Sequence, residues 1–425
     1  MDQIQTNRNF VKKLIAIILS FGPGIFAIGY TIGTGSVTSM IVAGSSFGMQ
    51  LLWVLLLSCV FSGVLIFAYG HYTLVTGETA LFGFKHHIKG GKWIAILIIL
   101  GITIGQWNSL TGILGICSNM IYEVFLLYFP SIQRLQYQFV LGIAIFIVIV
   151  FYLLLLVGKY SFFEKILVIF VSIMGLSFII SLFFVFPHPV DIIHGLIPRI
   201  PHIKGGMMLT AAFVGTTMAA ATFLSRPLFV KGKGWTINDL KKQKHDAVVA
   251  AILIFIVSGS IMTVACGALY YQGKVVTHVL DMVNTVDPIA GRFAIFIFVF
   301  GTLSAGFSSI FPCLMIAPLL LADYQEGILD TSSKQFRIIT AIASIVALLI
   351  PVLGRNPVQA QILTQVFNVF VLPLVVIGII ILGNRSRLMG KYKFNLFVNI
   401  LLVLALIFSL IISYNGAIVV YHHVF

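Results

Sequence analysis

The segment YTIGTGSVTS, residues 30–39, places hydroxyl side chains and two glycines in the middle of the first long apolar stretch of the chain. Glycine adopts backbone angles that other residues avoid, so a helix breaks easily at this point. The hydroxyls of Thr34, Ser36, Thr38 and Ser39 can pair with local backbone or with a solute. Binding at such a break would use backbone and hydroxyl dipoles rather than fixed charge.

A break inside a membrane helix is costly. Each unpaired backbone group in hydrocarbon costs several kcal/mol unless protein, water or a solute pairs with it, so the break is expected to line a cavity. The carbonyls before the break are electronegative and the N–H groups after it are electropositive. A packing interface of small residues is the alternative explanation. It accounts for Gly33 and Gly35 but not for the clustered hydroxyls.

A second segment of the same kind is VGTTMAAATF, residues 214–223. Like the first, it has an apolar residue, then Gly-Thr, then small or hydroxyl residues. Two corresponding, glycine-interrupted hydrophobic segments are typical of secondary transporters built from inverted repeats. The pair therefore predicts a binding site between the two breaks.

The composition indicates which elements hold these segments. The chain has 425 residues, is 60% hydrophobic and only 9% charged, whereas soluble domains carry about 25% charged residues. This is an all-α polytopic membrane protein. Runs of about 20 apolar residues predict eleven spans, at 14–45, 48–72, 92–127, 137–157, 163–186, 206–231, 246–271, 289–322, 335–353, 358–383 and 394–421.

These spans predict one transmembrane domain over residues 1–425. Five spans (14–186) would form one repeat, five in the opposite orientation (206–383) the second, and 394–421 an extra helix. The first, third and eighth spans are long enough to be broken or strongly tilted.

The net charge of +14 indicates orientation rather than nucleic-acid binding. Of the 26 Lys and Arg residues, all but six fall on the side of the N-terminus, which predicts a cytoplasmic N-terminus and an outer C-terminus in a plasma membrane of the bacterial inner-membrane type. The six on the outer side are Arg134, Arg199, Lys204, Lys274, Arg292 and Arg355.

The sequence contains no constellation typical of an enzyme. It has no phosphate-binding loop, no His/Glu metal pair at helical spacing and no nucleophile elbow. The four cysteines lie singly in apolar stretches and favour buried, inert thiols. We therefore expect no enzyme and no cofactor; the expected partners are a small ion or solute and the lipid bilayer.

The order of several motifs resembles the natural resistance-associated macrophage protein (Nramp) family of divalent-metal transporters. The resemblance implies a fold of the leucine-transporter type, with spans one and six unwound at a shared central site. The matching segments are FGPGIFAIGYTIGTGSVTSMIVAGSSFGMQLLWVLLLS (21–58), LVTGETAL (74–81), GKYSFFEK (158–165), GLIPRIP (195–201), FVGTTM (213–218), GTLSAGFSSIF (301–311), QVFNVFVLP (365–373) and LMG (388–390).

The resemblance also implies a set of site residues, although the chain departs from the family's pattern. The family's metal-binding Asp-Pro-Gly-Asn aligns with residues 33–36, so its carboxylate is lost, and its Met-Pro-His aligns with residues 218–220, where only the methionine is kept. The implied metal ligands are the Ser36 and Met218 side chains and the Tyr30 and Gly215 carbonyls. The whole implied substrate site is Tyr30, Gly33, Thr34, Ser36, Gly215, Thr216 and Met218.

Acidic residues are expected only at span ends and in loops. The family carries acids on a proton route in its third span, whereas residues 105–115 have none. We therefore predict that proton coupling by that route is absent or altered. The twelve acids are Asp2, Glu78, Glu123, Glu164, Asp191, Asp239, Asp246, Asp281, Asp287, Asp323, Glu326 and Asp330.

Three functions remain open on these grounds. The first is transport of a metal ion at a remodelled, uncharged site, which could hold a partly hydrated divalent ion weakly or a monovalent ion. The second is transport of a small organic or anionic solute, such as an amino acid, a carboxylate or bicarbonate, held by the N–H groups after the first break. The third is a non-transporting relative of the same fold.

Overall fold

A computed structural model of the chain describes residues 24–157, 160–185, 187–199, 205–279, 281, 287–325 and 331–424. These residues form helices and connecting loops, with no β-strand among them. Ten helical segments of this part are long and apolar enough to cross a membrane. The first predicted span, 14–45, adds to these ten as two shorter helices, and its residues 14–23 lie outside the described residues.

The eleven spans are numbered in chain order. Span 1 is α1 (Gly24–Thr31) and α2 (Thr34–Phe47). Spans 2, 3, 4 and 5 are α3 (Leu52–Thr76), α5 (Gly91–Tyr128), α6 (Gln136–Val157) and α7 (Tyr160–Phe184), in that order. The short helices α4 (Ala80–His87) and α8 (Pro189–Gly195) lie in loops. Span 6 is α9 (Gly206–Thr217) and α10 (Ala220–Gly232), span 7 is α11 (Leu240–Leu269) and span 8 is α12 (Asp287–Tyr324). Span 9 is α13 (Lys334–Ala347) and α14 (Leu349–Leu353), span 10 is α15 (Pro357–Asn368) and α16 (Leu372–Gly383), and span 11 is α18 (Leu396–Val424), preceded by α17 (Ser386–Met389).

Spans 1 and 6 are interrupted, as the sequence predicts. Span 1 leaves helical geometry at Ile32 and Gly33, and span 6 leaves it at Met218 and Ala219. Gly215 is helical, so the break in span 6 lies three residues beyond the glycine that suggested it. A glycine marks a permissive region, but the break falls where the tertiary contacts demand it.

Spans 3 and 8 are each one helix of 38 residues, so of the three spans expected to be broken or tilted only span 1 is broken. At 1.5 Å per residue such a helix is about 57 Å long, well beyond the roughly 30 Å hydrocarbon layer.

Span 10 is interrupted at residues 369–371, a break that was not predicted from the sequence. The signal was Pro373, because proline favours the first turn of a helix and disfavours its interior.

Local residue chemistry sets the helix ends. Gly77 ends span 2 in the left-handed conformation at φ +71°, with its N–H bonded to the Thr73 carbonyl, a common way to close a helix. Asn356 caps span 10 by accepting from the Val358 N–H, and Pro357 follows at the first helical position. These signals fix span boundaries independently of packing.

The spans pack as two groups. In the first group, spans 6 and 7 each pack on spans 1 and 2. Spans 3, 4, 8 and 9 form the second group, and span 5 packs on span 8 and also on spans 1 and 7. The first half of span 10 bridges the groups, because it packs on both span 3 and the first half of span 6. The interruptions of spans 1, 6 and 10 therefore lie near the boundary between the groups.

Candidate functional site

A small cavity lies where the breaks of spans 1 and 6 meet spans 3, 8 and 10. Its volume of about 20 Å³ is close to the least that holds one water molecule. Every lining residue is buried, so the cavity is closed. The lining residues are Tyr30, Gly33 and Gly35 of span 1, Gln106, Ser109 and Ile113 of span 3, Thr216 and Ala219 of span 6, Ser309 and Cys313 of span 8, and Gln365 and Asn368 of span 10.

Hydroxyls from neighbouring spans pair with the carbonyls near the two breaks. Ser309 Oγ donates to the Gly29 carbonyl at 3.1 Å, and Thr216 Oγ1 donates to the Thr31 carbonyl at 3.3 Å. Ser62 Oγ, from span 2, donates to the Thr217 carbonyl at 2.7 Å. A buried carbonyl without a partner costs about 1–3 kcal/mol. These hydroxyls therefore offset the cost of both breaks in the closed state.

Side-chain amides of span 10 hold the start of the second half of span 1. In the amide orientation that satisfies both ends of Gln361, its oxygen accepts from the Gly35 N–H at 3.2 Å and from Ser109 Oγ and Gln365 Nε2 at 3.1 Å each. Asn368 Nδ2 donates to Gln365 Oε1 at 3.1 Å. The Gly35 N–H, one of the groups expected to face a solute, is thus already paired.

The cavity is polar but uncharged. Its lining has three side-chain amides, three hydroxyls besides Tyr30, one thiol and no Asp, Glu, Lys, Arg or His. Cys313 Sγ donates to Gln106 Oε1 at 3.5 Å. Within the described ranges no three His, Cys, Asp or Glu residues form a group that could hold a metal ion. The site offers neutral oxygen donors, which suit hard cations, and amide N–H groups, which suit anions or carbonyls.

The structure brings only some of the predicted site residues together. Tyr30, Gly33 and Thr216 line the cavity, whereas Thr34, Ser36, Gly215 and Met218 do not. The Ser36 hydroxyl lies 3.3 Å from that of Ser258 in span 7. The Met218 side chain is fully buried in the core around the break. In this closed state neither implied side-chain ligand faces the cavity.

Thr34 and Gly215 serve close helix packing. A Cβ at Gly306 of span 8 would lie 3.1 Å from Thr34 Cγ2. A Cβ at Gly215 would overlap the Gln365 carbonyl oxygen. Gly215 therefore allows span 6 to touch the backbone of span 10 beside the cavity.

Sequence reasoning missed the cavity residues of spans 8 and 10 and did not assign those of span 3. Gln365 and Asn368 lie one helical turn apart, with Gln361 a turn earlier, so they share one face of span 10. Three amides on one face of an apolar helix form a polar stripe that could have been found. Ser309 and Cys313 have the same spacing in span 8, but small residues are too common in membrane helices to stand out.

A second buried polar group lies nearer the predicted cytoplasmic side. Arg226 of span 6 is 1% exposed and its Nη2 lies 2.6 Å from Asp246 Oδ2 of span 7. The same nitrogen donates to Gln243 Oε1, and Gln243 Nε2 donates to the Ile66 carbonyl of span 2 at 3.0 Å. A Cβ at Gly24 would lie 2.8 Å from Asp246 Oδ1. The group thus joins spans 1, 2, 6 and 7 below the cavity.

Comparisons with known proteins find similar chains over nearly the whole length of this one. The chain is 25% identical over 428 aligned residues to "Divalent metal cation transporter MntH" of Vibrio campbellii, covering 98% of this chain and 95% of the relative. Its fold matches a mutant of the Eremococcus coleocola manganese transporter with a TM-score of 0.72 at 14% identity, over 94% and 86% of the two chains. It also matches MhsT in complex with L-phenylalanine, with a TM-score of 0.63 at 13% identity, over 94% and 98%.

These matches confirm the predicted fold of the leucine-transporter type. The exact limits of the two repeats, 14–186 and 206–383, stay predictions. The family model described as "Natural resistance-associated macrophage protein-like" matches residues 24–419. The chain therefore belongs to the natural resistance-associated macrophage protein-like family.

Proposed function

We propose that this chain is a secondary transporter that carries a divalent metal cation across the membrane by alternating access around the breaks of spans 1 and 6. The observation that carries the proposal is the closed polar cavity at which these breaks meet. Membership of the family and the name of the Vibrio campbellii relative support the metal cation as cargo. The protein is then a transporter and not an enzyme.

The neutral lining sets how the ion is held. A dehydrated divalent ion in a site of low dielectric needs opposite charge nearby, and amides and hydroxyls supply only dipoles. The ion is therefore bound weakly and keeps part of its water. A cavity of about 20 Å³ is too small for a hydrated ion, so the closed state must widen when cargo enters.

Tyr30, Gly33 and Thr216 are the predicted site residues that would contact cargo in a state close to this one. The Tyr30 and Gly215 carbonyls and the Ser36 and Met218 side chains remain proposed ligands. Ser36 would have to leave Ser258, and Met218 would have to turn toward the cavity. If Met218→Leu and Ser36→Ala leave metal affinity unchanged, the ligand set reduces to the cavity residues.

The protein is a multi-pass membrane protein, and we propose that its N-terminus is cytoplasmic and its C-terminus is outside. The support is the excess of Lys and Arg on one side. In that orientation the Arg226–Asp246 pair lies on the cytoplasmic side of the cavity.

A second candidate is transport of a small organic or anionic solute. The observation that favours it is the lining, where amide donors are present and carboxylates are not. An amino acid occupies the structure of MhsT, which has a similar fold. Amide N–H groups can donate to a carboxylate as readily as amide oxygens can accept from a metal-bound water.

A flux assay separates the candidates. Chain reconstituted in vesicles is tested with Mn²⁺, Mg²⁺ and K⁺ and with amino acids, bicarbonate and small carboxylates. Saturable Mn²⁺ or Mg²⁺ uptake that is lost in Ala219→Leu, which fills the cavity, supports metal transport. Ala341→Leu, half-buried in span 9, is the matched control. Uptake of an organic or anionic solute alone favours the second candidate, and no flux of any solute favours a non-transporting relative.

A further inference from the structure

A second pocket lies at the surface where spans 4 and 9 end on the predicted outer side. Its volume is about 520 Å³. Two arginines line it, Arg134 from the turn before span 4 and Arg355 just after span 9. They are far apart in the sequence, and they are two of only six basic residues predicted on that side. Their convergence on one pocket is therefore unexpected for a face that is poor in basic residues.

The lining provides positive charge and hydrogen-bond donors. Besides the two arginines it contains the amides of Asn119, Gln133, Gln136 and Gln138, and no carboxylate. Among the residues with described side chains, neither arginine forms a salt bridge. Guanidinium groups bind phosphate and carboxylate strongly because they offer parallel N–H donors. The pocket is thus suited to an anion.

The position of the pocket relative to the apolar segments indicates which anion it would meet in the membrane. The apolar segment that contains span 4 begins at Pro130, and the one that contains span 9 ends at Leu353. Tyr137 lines the pocket, and Tyr128 and Phe129 directly precede Pro130 in the chain. All three are exposed aromatics, which is typical of the layer of lipid headgroups. The Tyr137 hydroxyl donates to the Val352 carbonyl at 3.0 Å, which fixes span 4 against the end of span 9. Both walls of the pocket are therefore held together at headgroup depth.

We propose that this pocket binds a phosphate group, supplied by the headgroup of a phospholipid of the outer leaflet. Arg134 and Arg355 hold the phosphate oxygens, and the neighbouring amides donate to the rest of the headgroup. The proposal is independent of the cargo, because no residue of this pocket lines the central cavity.

Lipid retention by the purified chain tests the proposal. Chain in detergent is titrated with phosphatidylglycerol, with diacylglycerol of the same acyl chains and with inorganic phosphate, and is followed by native mass spectrometry and thermal unfolding. Arg134→Gln with Arg355→Gln should raise the half-saturating phosphatidylglycerol concentration roughly thirtyfold, the change expected for two basic residues at an anionic lipid surface. Arg134→Lys with Arg355→Lys should recover most of the affinity.

Arg199→Gln with Lys274→Gln removes the same charge from the same predicted side outside the pocket and should leave the titration unchanged. Equal phosphatidylglycerol titrations for the wild type and the pocket variant would overturn the proposal. Equal retention of diacylglycerol would also overturn it. If inorganic phosphate stabilises the chain through the two arginines and phospholipid does not, the phosphate site stands and the lipid source is wrong.

Discussion

Gln106, Gln365 and Asn368 give the cavity three amides where a site for a dehydrated divalent ion would need carboxylates. An amide has nearly the shape of a carboxylate, so the cavity keeps its geometry while its charge is zero. A carboxylate could therefore be introduced at one of these positions with little change of shape.

Adding one negative charge to the lining should strengthen metal binding. Gln106→Glu places a carboxylate in the lining with little change of volume. Opposite unit charges 4 Å apart gain about 4 kcal/mol at an effective dielectric constant of 20, so we expect Mn²⁺ affinity to rise at least about tenfold, or 1.4 kcal/mol. Isothermal titration at neutral pH measures this change.

Asn108→Asp is the matched control for that experiment. Asn108 lies on the same helix but bonds to Thr364 Oγ1 and does not line the cavity. Equal Mn²⁺ affinities of the two variants, with both folded, would show that cargo does not enter this cavity.

Gly215 tests how closely spans 6 and 10 must approach. A Cβ there would overlap the Gln365 backbone, which cannot move without its helix. We expect Gly215→Ala to lower the free energy of unfolding by about 1–3 kcal/mol, as overpacking does. Gly259→Ala is the control: its Cβ would meet only Leu55 Cδ2, at 4.0 Å, so alanine should stabilise the helix by about 0.5–1 kcal/mol. Thermal unfolding in detergent compares them, and equal effects would contradict the close contact.

At the scale of elements, the two broken spans are stabilised by their neighbours rather than by their own sequence. Ser309 pairs with the Gly29 carbonyl and Ser62 with the Thr217 carbonyl. Each half-helix can therefore move only if these hydroxyls find other partners. Cargo entering the cavity could supply them, which couples binding to movement of the half-helices.

The buried Arg226–Asp246 pair is an element-scale contact on the predicted cytoplasmic side of the cavity. Breaking a buried ion pair costs about 3–5 kcal/mol, because one charge is left without compensation. Asp246→Asn should therefore loosen the packing of spans 1, 2, 6 and 7 on that side, and with it the boundary between the two groups of spans. The cavity thiol of Cys313 would then become accessible.

Alkylation by N-ethylmaleimide, located by mass spectrometry, measures this opening. Cys313 should react faster in Asp246→Asn, while Cys59, buried in span 2 away from the cavity, serves as the internal control. Asp239→Asn, on the neighbouring exposed loop, should leave both rates unchanged. An unchanged Cys313 rate in Asp246→Asn means that another contact closes this side.

At the scale of the whole molecule, the boundary between the two groups of spans contains the cavity and the breaks. Such a boundary is where one group can rock against the other around a fixed site. None of the residues that line the cavity is charged. Energy coupling therefore cannot use a fixed acid in the cavity lining.

Transport should not require a proton gradient. The cavity lining has no Asp, Glu or His, so no carboxylate or imidazole there carries a proton with the cargo. We expect equal initial rates of cargo uptake into proteoliposomes with and without an imposed pH gradient at constant membrane potential. A strict one-to-one movement of protons with cargo would contradict this prediction.

The orientation of the molecule can be tested directly. A tag after the C-terminus should be accessible to an impermeant reagent on intact cells, and a tag in the loop at residues 233–238 only after the membrane is permeabilised. The reason is the preference of Lys and Arg for the cytoplasmic side. The opposite pattern would reverse the assignment of Arg226 and Asp246 to the inner side.

Hydropathy and glycine chemistry alone determined the number of spans and the breaks of spans 1 and 6. Both depend on the local sequence, because each span in a bilayer must pair its own backbone N–H and C=O groups. A segment whose residues disfavour a helix therefore stands out in the sequence. Pro373 marks the break of span 10 in the same local way. Gly215 indicated the right region of span 6 and missed the break by three residues.

Only the tertiary structure decided which side chains face the cavity. The rotation of each helix about its axis depends on packing with all its neighbours, and apolar lipid gives no amphipathic signal to predict it. Ser36 therefore faces Ser258 of span 7, while Gln106, Ser309 and Gln365 from distant spans form the lining. Arg226 and Asp246 were visible as charges at helix ends, but their pairing across two spans required the fold.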